Sequence, residues 1–585
     1  MIMRVDIYTI VLTAVVATCP IVVSAQELDP TVEVNRSYQG KLMEVQKPSF
    51  EMAVPDSVLH FDLDFDYEVF DNPYKGAYEF QPYQMQLQPI GEAAEQNSLY
   101  LRVGAGNGFE TLNLHPTADL VWSPVRKDRL KMDFYARHRS YVGEYRAAGV
   151  PDPSREVVSL RLDKLTGRNN YDFLTQAGVD ARYDWTKGTV RLDAGYYGIA
   201  ERYDIRNNSY DALDVRAVVS SKDYGQLINY DVYASYRFGT DRLDYGSVYE
   251  DSLTEHEVSV QGKLKTVFLD KHKVLFELGV DNHSYGYSGV TRLSLVPHYM
   301  FRYGKFSIDA GLRIEGLMPS GDSACFQTKG QWIYPDVTVD YQVIPEVMKA
   351  YAEVGGGTKV NSFSSLIADN HHFNMTYGHG KPLMDNTIEN LSAALGLEGI
   401  VGTRFTYGLR AGYAMYGNAP LETVVTGMAP VAQTLAFLPG IVYAGYQNVY
   451  VAADLSWVTE RFRVDTQAAY RNSWFEDKKT DGYFLPAAFA GEVSLEYNWN
   501  KRIFLGMDCD FSTGRRPVNL LFPDGTLRPA KVPGYADLGL NFEYLATRSF
   551  SVWLRGGNLL NMAVQRNLLY AEKGIYFAAG ICLNL

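Results

Sequence analysis

The sequence has no long apolar run beyond its first 25 residues. No later segment approaches the roughly 20 apolar residues that a membrane-spanning helix needs. Inside a bilayer every backbone polar group must be paired within the protein, so a closed β-barrel is the remaining way to span one. If this chain crosses a membrane, it must therefore do so with strands.

Basic residues and cysteines are also scarce. The chain has 55 Lys and Arg against 68 Asp and Glu, which gives a net charge of −13. Nucleic-acid binding depends on clustered Lys and Arg, so no nucleic-acid partner is expected. Beyond residue 25 the cysteines are Cys325, Cys509 and Cys582. They lie in segments that we do not expect to be neighbours, and no disulfide is predicted.

The first 25 residues have the features of a secretory signal peptide. Arg4 provides a basic start, and an apolar core leads to the small residues Val23-Ser-Ala25 at the predicted cleavage site. Residues 26–97 differ from the rest in their scattered prolines and acidic residues, and we interpret them as a periplasmic N-terminal extension. Residues 98–585 form the predicted barrel.

Alternation of apolar and polar residues fills most of residues 98–585, and the last segment, Gly574 to Leu585, is the clearest example. Successive side chains of a strand point to opposite faces, so one face of this segment is apolar and the other is small or polar. A chain that ends within such a strand needs a neighbour on each side. A closed barrel supplies both neighbours.

Short turns recur at regular intervals. Ten are predicted, at residues 123–128, 186–188, 222–226, 270–273, 303–305, 343–346, 401–404, 458–461, 498–502 and 546–549. Longer polar links alternate with them, including residues 143–169, 239–251, 319–328, 361–386, 475–483 and 515–533. Bacterial barrels combine short periplasmic turns with longer outer loops. We therefore predict an all-β, transmembrane antiparallel β-barrel of about 22 strands with both ends periplasmic, and 20 or 24 strands stay open.

Each strand can be divided into an apolar and a charged face. In residues 305–315, for example, Phe306 and Leu312 face opposite to Asp309 and Arg313. A basic side chain facing lipid at the bilayer midplane costs about 2–4 kcal/mol, so the charged faces should line the lumen. The predicted lumen-facing residues are Asp180, Arg182, Asp184, Arg191, Asp193, Asp309, Arg313, Arg463 and Asp465. They either hold the barrel's shape through cross-strand pairs, line a solute path or seat the N-terminal segment.

Tryptophans share one position along the strands. Trp122, Trp185, Trp457 and Trp499 each lie next to a predicted short turn. Aromatic residues concentrate at both membrane–water interfaces, so these four are predicted interface aromatics.

One predicted outer loop is rich in histidine. His371, His372 and His379 are weak metal-ligand candidates, because imidazoles and carboxylates bind transition metals. Adjacent histidines in an extended segment point apart, however, and the spacing matches no structural zinc pattern. An ordinary polar loop is the preferred interpretation, and no cofactor is predicted. No grouping of a nucleophile with a base stands out either, so we do not expect an enzyme.

The C-terminal region carries a family resemblance. Gly534 to Tyr544, then Ser549 to Asn561, then the final strand resemble the end of TonB-dependent receptor barrels, and Asn558-Leu-Leu-Asn561 is the most specific part. Leu99 to Asn107 resembles the opening strand of receptor-like barrels of Bacteroidota. The resemblance implies a 22-stranded barrel in the outer membrane of a Gram-negative cell.

The same resemblance implies nutrient uptake through a barrel with a plug domain and a TonB-binding box. Residues 26–97 contain neither plug motifs nor a convincing box. Two functions therefore stay open. The first is a plugless, porin-like transport barrel that passes or gates solutes. The second is a structural subunit of an outer-membrane assembly, which binds surface lipoproteins or periplasmic proteins through residues 26–97 or its loops. Outer-membrane lipids surround the barrel in both.

Overall fold

A computed structural model describes residues 98–108, 114–148, 157–165, 167, 169–203, 206–222, 228–241, 253–268, 272–286, 288–321, 325–371, 384–428, 435–475, 482–522 and 524–585. The predicted signal peptide and the extension at residues 26–97 lie outside these ranges and stay predictions. Within the described ranges no helix is long and apolar enough to cross a membrane.

The described elements are almost all strands. In chain order they are β1 (Leu99–Gly108), β2 (His115–Arg126), β3 (Leu130–Gly143), β4 (Arg146–Ala148), β5 (Val158–Ser159), β6 (Leu162–Leu165), β7 (Asn170–Trp185), β8 (Gly188–Tyr203), β9 (Arg206–Ser221), β10 (Ile228–Asp241), β11 (Thr254–Phe268), β12 (His272–Ser284), β13 (Ser288–Tyr303), β14 (Phe306–Gly321), β15 (Gly330–Ile344), β16 (Met348–Val360), helix α1 (Phe363–Asp369), β17 (Asn386–Val401), β18 (Phe405–Met428), β19 (Leu435–Val458), β20 (Phe462–Trp474), β21 (Tyr483–Phe484), β22 (Phe489–Trp499), β23 (Ile503–Ser512), β24 (Val518–Leu521), β25 (Leu527–Lys531), β26 (Tyr535–Thr547), β27 (Phe550–Gly557) and β28 (Tyr576–Asn584).

Twenty-two of these strands form one closed antiparallel barrel. The short strands β4, β5, β6, β24 and β25 lie in the links outside this sheet, and the short strand β21 pairs with two residues near the long-loop end of β18. Each wall strand pairs with the next one along the chain, and the barrel closes because β1 pairs with both β2 and β28. The strand number predicted from the ten short turns is confirmed. The final alternating segment is confirmed as a wall strand with a neighbour on each side.

The two faces of the wall follow the alternation of the sequence. On β12, Leu278 is 54% exposed, and on β14 Leu312 is 44% exposed. The alternate residues on the same strands are charged, and they meet charged residues of neighbouring strands: Glu277 pairs with Lys263 at 2.6 Å, and Arg313 pairs with Asp336 at 2.6 Å. We call these the apolar face and the charged face.

The two largest hydrophobic cores among the described residues lie among the long links and the adjoining strand ends, at the end of the barrel opposite to the short turns. The α1 core contains the buried side chains Ile199, Tyr210, Tyr285, Phe326, Phe363, Ile367 and Met384. The β25 core contains the buried side chains Val158, Leu160, Phe484, Leu520, Phe522, Ala530 and Leu568. We call this end of the molecule the long-loop end. The described parts of its links pack against one another and against the strand ends.

Candidate functional site

The charged face of β7 and β8 carries five of the predicted lumen residues. In the register, Asp180 lies opposite Asp193 and Arg182 lies opposite Arg191, so like charges face each other directly. The opposite charges meet diagonally, with 2.5 Å between Arg191 Nε and Asp180 Oδ2. Diagonal neighbours across a strand pair are within reach of long side chains. Asp184 pairs along its own strand, at 3.0 Å from Arg182 Nε.

The remaining predicted lumen residues also share the charged face with their partners. Asp309 lies 2.9 Å from His298 Nδ1, and Arg313 pairs with Asp336 on β15. Arg463 contacts Asp465, two residues along on the same strand, at 2.6 Å. The structure thus brings the candidates together in local pairs and not at one centre. Their assignment to the lumen stays a prediction.

A longer network, which the sequence reasoning missed, connects β12, β13, β14 and β16. Arg292 Nη2 lies 2.6 Å from Asp281, and its Nη1 donates to the carbonyl of Thr358 at 2.7 Å. Glu315, whose side chain is 1% exposed, accepts a hydrogen bond from the Thr358 backbone N–H at 2.6 Å. Alternation places Arg292 and Glu315 on the charged face, but no local pattern reveals their contact with β16.

The four predicted interface tryptophans all lie on the apolar face beside short turns. Trp122 is 46% exposed, Trp457 44% and Trp499 54%. Trp185 stacks along its strand on Tyr183, with ring centroids 6.5 Å apart. Their placement at a membrane interface stays a prediction.

Of the histidine candidates only His371 is described; His372 and His379 lie outside the described residues. The His371 carbonyl accepts a hydrogen bond from the Asn208 side chain at 2.9 Å. Among the residues that the structure covers, no three His, Cys, Asp or Glu side chains are grouped to hold a metal ion.

Helix α1 is the main feature of the predicted link 361–386, and its existence was not predicted. Ser362 caps the helix: its hydroxyl accepts from the Ser365 N–H at 3.2 Å. Seven residues make too short a helix to be stable alone, so tertiary contacts must hold it. Phe363 and Ile367 provide them, being 0% and 1% exposed in the α1 core.

A buried carboxyl group joins α1 to the wall. Glu255, 0% exposed, accepts hydrogen bonds from the hydroxyls of Tyr210 at 2.8 Å and Tyr285 at 2.6 Å, and from the Ser364 N–H at 3.3 Å. The Phe363 N–H donates to the Tyr285 hydroxyl at 3.1 Å. Two phenols and one helix amide therefore donate to one carboxyl group, and a second helix amide donates to one of the phenols.

Glu255 lies outside the membrane-spanning part of its strand. β11 has 15 residues, of which about ten suffice to cross a bilayer, and Glu255 is the second residue at the long-loop end. Burial raises the pKa of Glu255 to about 8, and the nearby charge of Glu257 adds to the rise. Burial also acts to raise the pKa of Glu257, but hydrogen bonds from His283 and Ser364 outweigh it, so that pKa is lowered. The pKa values of the two carboxyl groups are therefore separated, with that of Glu255 raised and that of Glu257 lowered.

Links distant in the sequence join each other around the β25 core. β5 pairs in parallel with β25, with Val158 opposite Ala530. Glu422 pairs with Arg515 and also accepts from the Leu568 N–H at 2.8 Å. The links after β3, β23 and β27 and the long-loop end of β18 are thus connected to one another.

The Asn558-Leu-Leu-Asn561 element forms a tight turn. Asn558 has φ 45° and Asn561 has φ 51°, in the left-handed region that Asn tolerates better than most residues. The Asn558 side chain donates to the carbonyls of Met562 and Lys573, both at 2.8 Å. The element therefore fixes both ends of the last long link.

The closed wall of 22 strands, with long links at one end, makes this protein a large antiparallel β-barrel. Its fold matches solved structures of two receptors and a transporter. A point variant of the ferric enterobactin receptor PfeA from Pseudomonas aeruginosa, in complex with enterobactin, matches with a TM-score of 0.60 at 11% identity, over 84% of this chain and 82% of that chain. The apoprotein form of the FrpB iron transporter from Neisseria meningitidis matches with 0.60 at 10% identity, over 84% and 82%. The siderophore receptor PirA from Acinetobacter baumannii matches with 0.58 at 11% identity, over 84% and 81%.

No protein-family model matches the chain, and no curated protein matches it. The barrel resembles those of TonB-dependent receptors, as the C-terminal sequence predicts. The described residues contain no plug-like helical domain. At these identities the likeness concerns the fold.

Proposed function

We propose that this protein is an outer-membrane, transport-related barrel that passes or gates solutes without a plug of the receptor type. The observation that carries the proposal is the closed 22-strand wall with one apolar and one charged face. The charged face lines a wet lumen, and the apolar face meets lipid. Iron and siderophore transporters of the same fold support a transport role.

The proposed orientation follows from the two kinds of connection. Short turns lie in the periplasm and the long links outside, as in bacterial barrels generally. Ser98 precedes β1 at the short-turn end of the barrel, and its N–H donates to the Leu585 carbonyl at 2.6 Å. Both chain ends and the extension at residues 26–97 are then periplasmic. The periplasmic membrane–water interface is then marked by Trp122, Trp185, Trp457 and Trp499.

The lumen charges favour small polar solutes over apolar ones. Acidic and basic side chains alternate around the wall in local pairs, such as Arg191 with Asp180 and Arg313 with Asp336. A passage of this kind has no large field of one sign. The neighbouring structures are named for iron, enterobactin and siderophores, but a likeness of fold does not transfer that solute to this chain.

Conductance of the purified protein in planar bilayers tests the proposal. We expect a steady, small conductance that is absent from bilayers treated with detergent alone. A silent barrel that co-purifies with stoichiometric partners would contradict transport and would favour a structural subunit.

A deletion variant tests whether the N-terminal extension seats in the lumen. Removing residues 26–97 behind an intact signal peptide should raise conductance if the extension obstructs the passage. Unchanged conductance would remove the extension as a gate and leave the passage itself untouched.

A further inference from the structure

Helix α1 lies on the charged face of the wall. On β11, alternate residues share a face, and Glu255 and Glu257 have the same phase as Lys263, which pairs with Glu277. Ser364 of the helix contacts both glutamates. Under the proposed function this face lines the lumen, so the helix takes up part of the passage.

The helix also packs against the wall through its apolar side. Phe363 packs on Tyr210 with ring centroids 5.6 Å apart, and Ile367 lies in the same core. Ala368 and Asp369, on the other side of the helix, are exposed. This asymmetry gives the helix one side bound to the wall and one side facing the open space.

A glycine on β10 makes room for the polar contact. Gly239 lies opposite Glu255 in the register, and a Cβ at this position would come within 2.3 Å of the Tyr210 hydroxyl. The absent side chain allows the Tyr210 ring to cross β10 and donate to Glu255. The contact between wall and helix therefore depends on residues from three strands and a loop.

We propose that α1 is an internal gate, held closed against the lumen wall by the carboxyl group of Glu255 and its hydrogen bonds to Tyr210, Tyr285 and the helix. The inference rests on the proposed function, because a gate needs a passage. The sequestered carboxyl group makes the closed state sensitive to pH.

The direction of that sensitivity follows from burial. The groups that face Glu255 are Tyr210 on β9, Arg237 on β10, Glu257 on its own strand, and His283 and Tyr285 from β12 and its turn. Because the pKa of Glu255 is raised, the closed state holds the proton more tightly than an open state with a solvated carboxyl group. The stabilisation is complete only below the ordinary glutamate pKa of about 4.5 and is lost progressively as pH rises to about 8. Between those two values the ratio of closed to open molecules should fall about tenfold per pH unit, and above about 8 it should level off.

Thiol accessibility tests the gate independently of conductance. Ile367→Cys places a thiol inside the α1 core, and Ala368→Cys places one on the exposed side as the matched control. The parent protein, with its own cysteines, gives the background. We expect maleimide labelling of Ile367→Cys, relative to Ala368→Cys at each pH, to be slow at pH 7 and to rise about tenfold by pH 9.

Two further changes in the Ile367→Cys protein separate the contribution of the carboxyl group. Glu255→Gln keeps the shape but cannot ionise, so labelling should stay slow at pH 9. Gly239→Ala displaces the Tyr210 hydroxyl and should raise labelling already at pH 7. Folding of each variant is checked by the mobility shift of the unheated barrel in SDS gels. Labelling that ignores pH and both substitutions in folded protein overturns the gate.

Conductance then distinguishes the gate from the transport function. In the wild type it should increase between pH 7 and 9, and in Glu255→Gln it should not. Labelling that responds as expected in a barrel that is silent at both pH values supports the movement of α1 and rejects transport. A conducting barrel with no response in either measurement supports transport and rejects the gate.

Discussion

The two ends of the barrel are built in different ways. At the short-turn end, aromatic side chains remain open to their surroundings: Tyr303 is 67% exposed and Trp499 is 54% exposed. At the long-loop end, Phe363 and Leu160 are 0% exposed, each within a hydrophobic core formed by several links.

The difference follows from the solvent at each place. In the wall, backbone groups are paired strand to strand, and under the proposed function the apolar face meets lipid, so no interior core is needed. The links enter water and must bury apolar side chains against each other to become ordered. Wall and links should therefore respond to substitutions separately.

The largest expected effect is at the closing seam of the wall. Gly580 on β28 lies against β1, where a Cβ would come within 2.0 Å of the Val103 carbonyl oxygen and 2.5 Å of Gly104 Cα. Gly580→Val should abolish the folded barrel, seen as loss of the heat-modifiable band in SDS gels. The neighbouring Ala579→Val, on the exposed apolar face, should fold normally. A normal yield of Gly580→Val would show that the seam tolerates a wider spacing.

A charge on the apolar face should have the next largest effect. Leu278→Arg near the middle of β12 should cost about 2–4 kcal/mol of unfolding free energy in lipid vesicles, measured by urea titration. Gln261→Arg on β11, at the same depth but on the charged face, is the matched control and should change little. Equal costs for the two variants would contradict the assignment of the faces.

Loss of the Asn558 side chain should disturb only the long-loop end. Asn558→Ala removes the hydrogen bonds to Met562 and Lys573 and should destabilise this link locally by about 1–3 kcal/mol. The expected result is faster proteolysis within residues 558–573 with an unchanged heat-modifiable band. Asn558→Gly keeps the left-handed backbone accessible; a normal rate in that variant would assign the effect to the backbone conformation instead.

The smallest effect should come from the diagonal ion pair of β7 and β8. Arg191 is largely exposed, with 62% of its side chain accessible, so its contact with Asp180 should contribute below about 1 kcal/mol. A double-mutant cycle with Asp180→Asn and Arg191→Gln measures it. A coupling of several kcal/mol would mean that this part of the lumen wall is much drier than its exposure suggests.

The sequence predicted the wall because each part of it depends on local patterns. Alternation of Phe306, Ile308 and Leu312 with Asp309 and Arg313 identifies a strand and its faces, and the turn after Trp185 identifies a hairpin. These signals hold whatever the rest of the chain does, since strand phase and turn geometry are properties of neighbouring residues.

The long-loop end could not be predicted in the same way. Residues 361–386 have the composition of a polar link, and α1 is too short for a helical period to stand out. The contact of Glu255 with Tyr210 and Ser364 joins segments distant in sequence. The same is true of Arg292 and Thr358. Such contacts depend on where the closed wall places the links.

The parallel pair of β5 and β25 has a mechanical consequence. It joins the link after β3 to the link after β23, and the seam between the first and last wall strands lies between these two points. The pair therefore connects the strands on both sides of the seam at the long-loop rim. At the opposite rim the described residues hold the seam by local contacts, such as the backbone bonds of Leu99 with Leu585 and the ion pair of Arg102 with Glu543. If the barrel is pulled apart sideways, β1 and β28 should therefore separate first at the short-turn rim and last at the rim that β5 and β25 hold together.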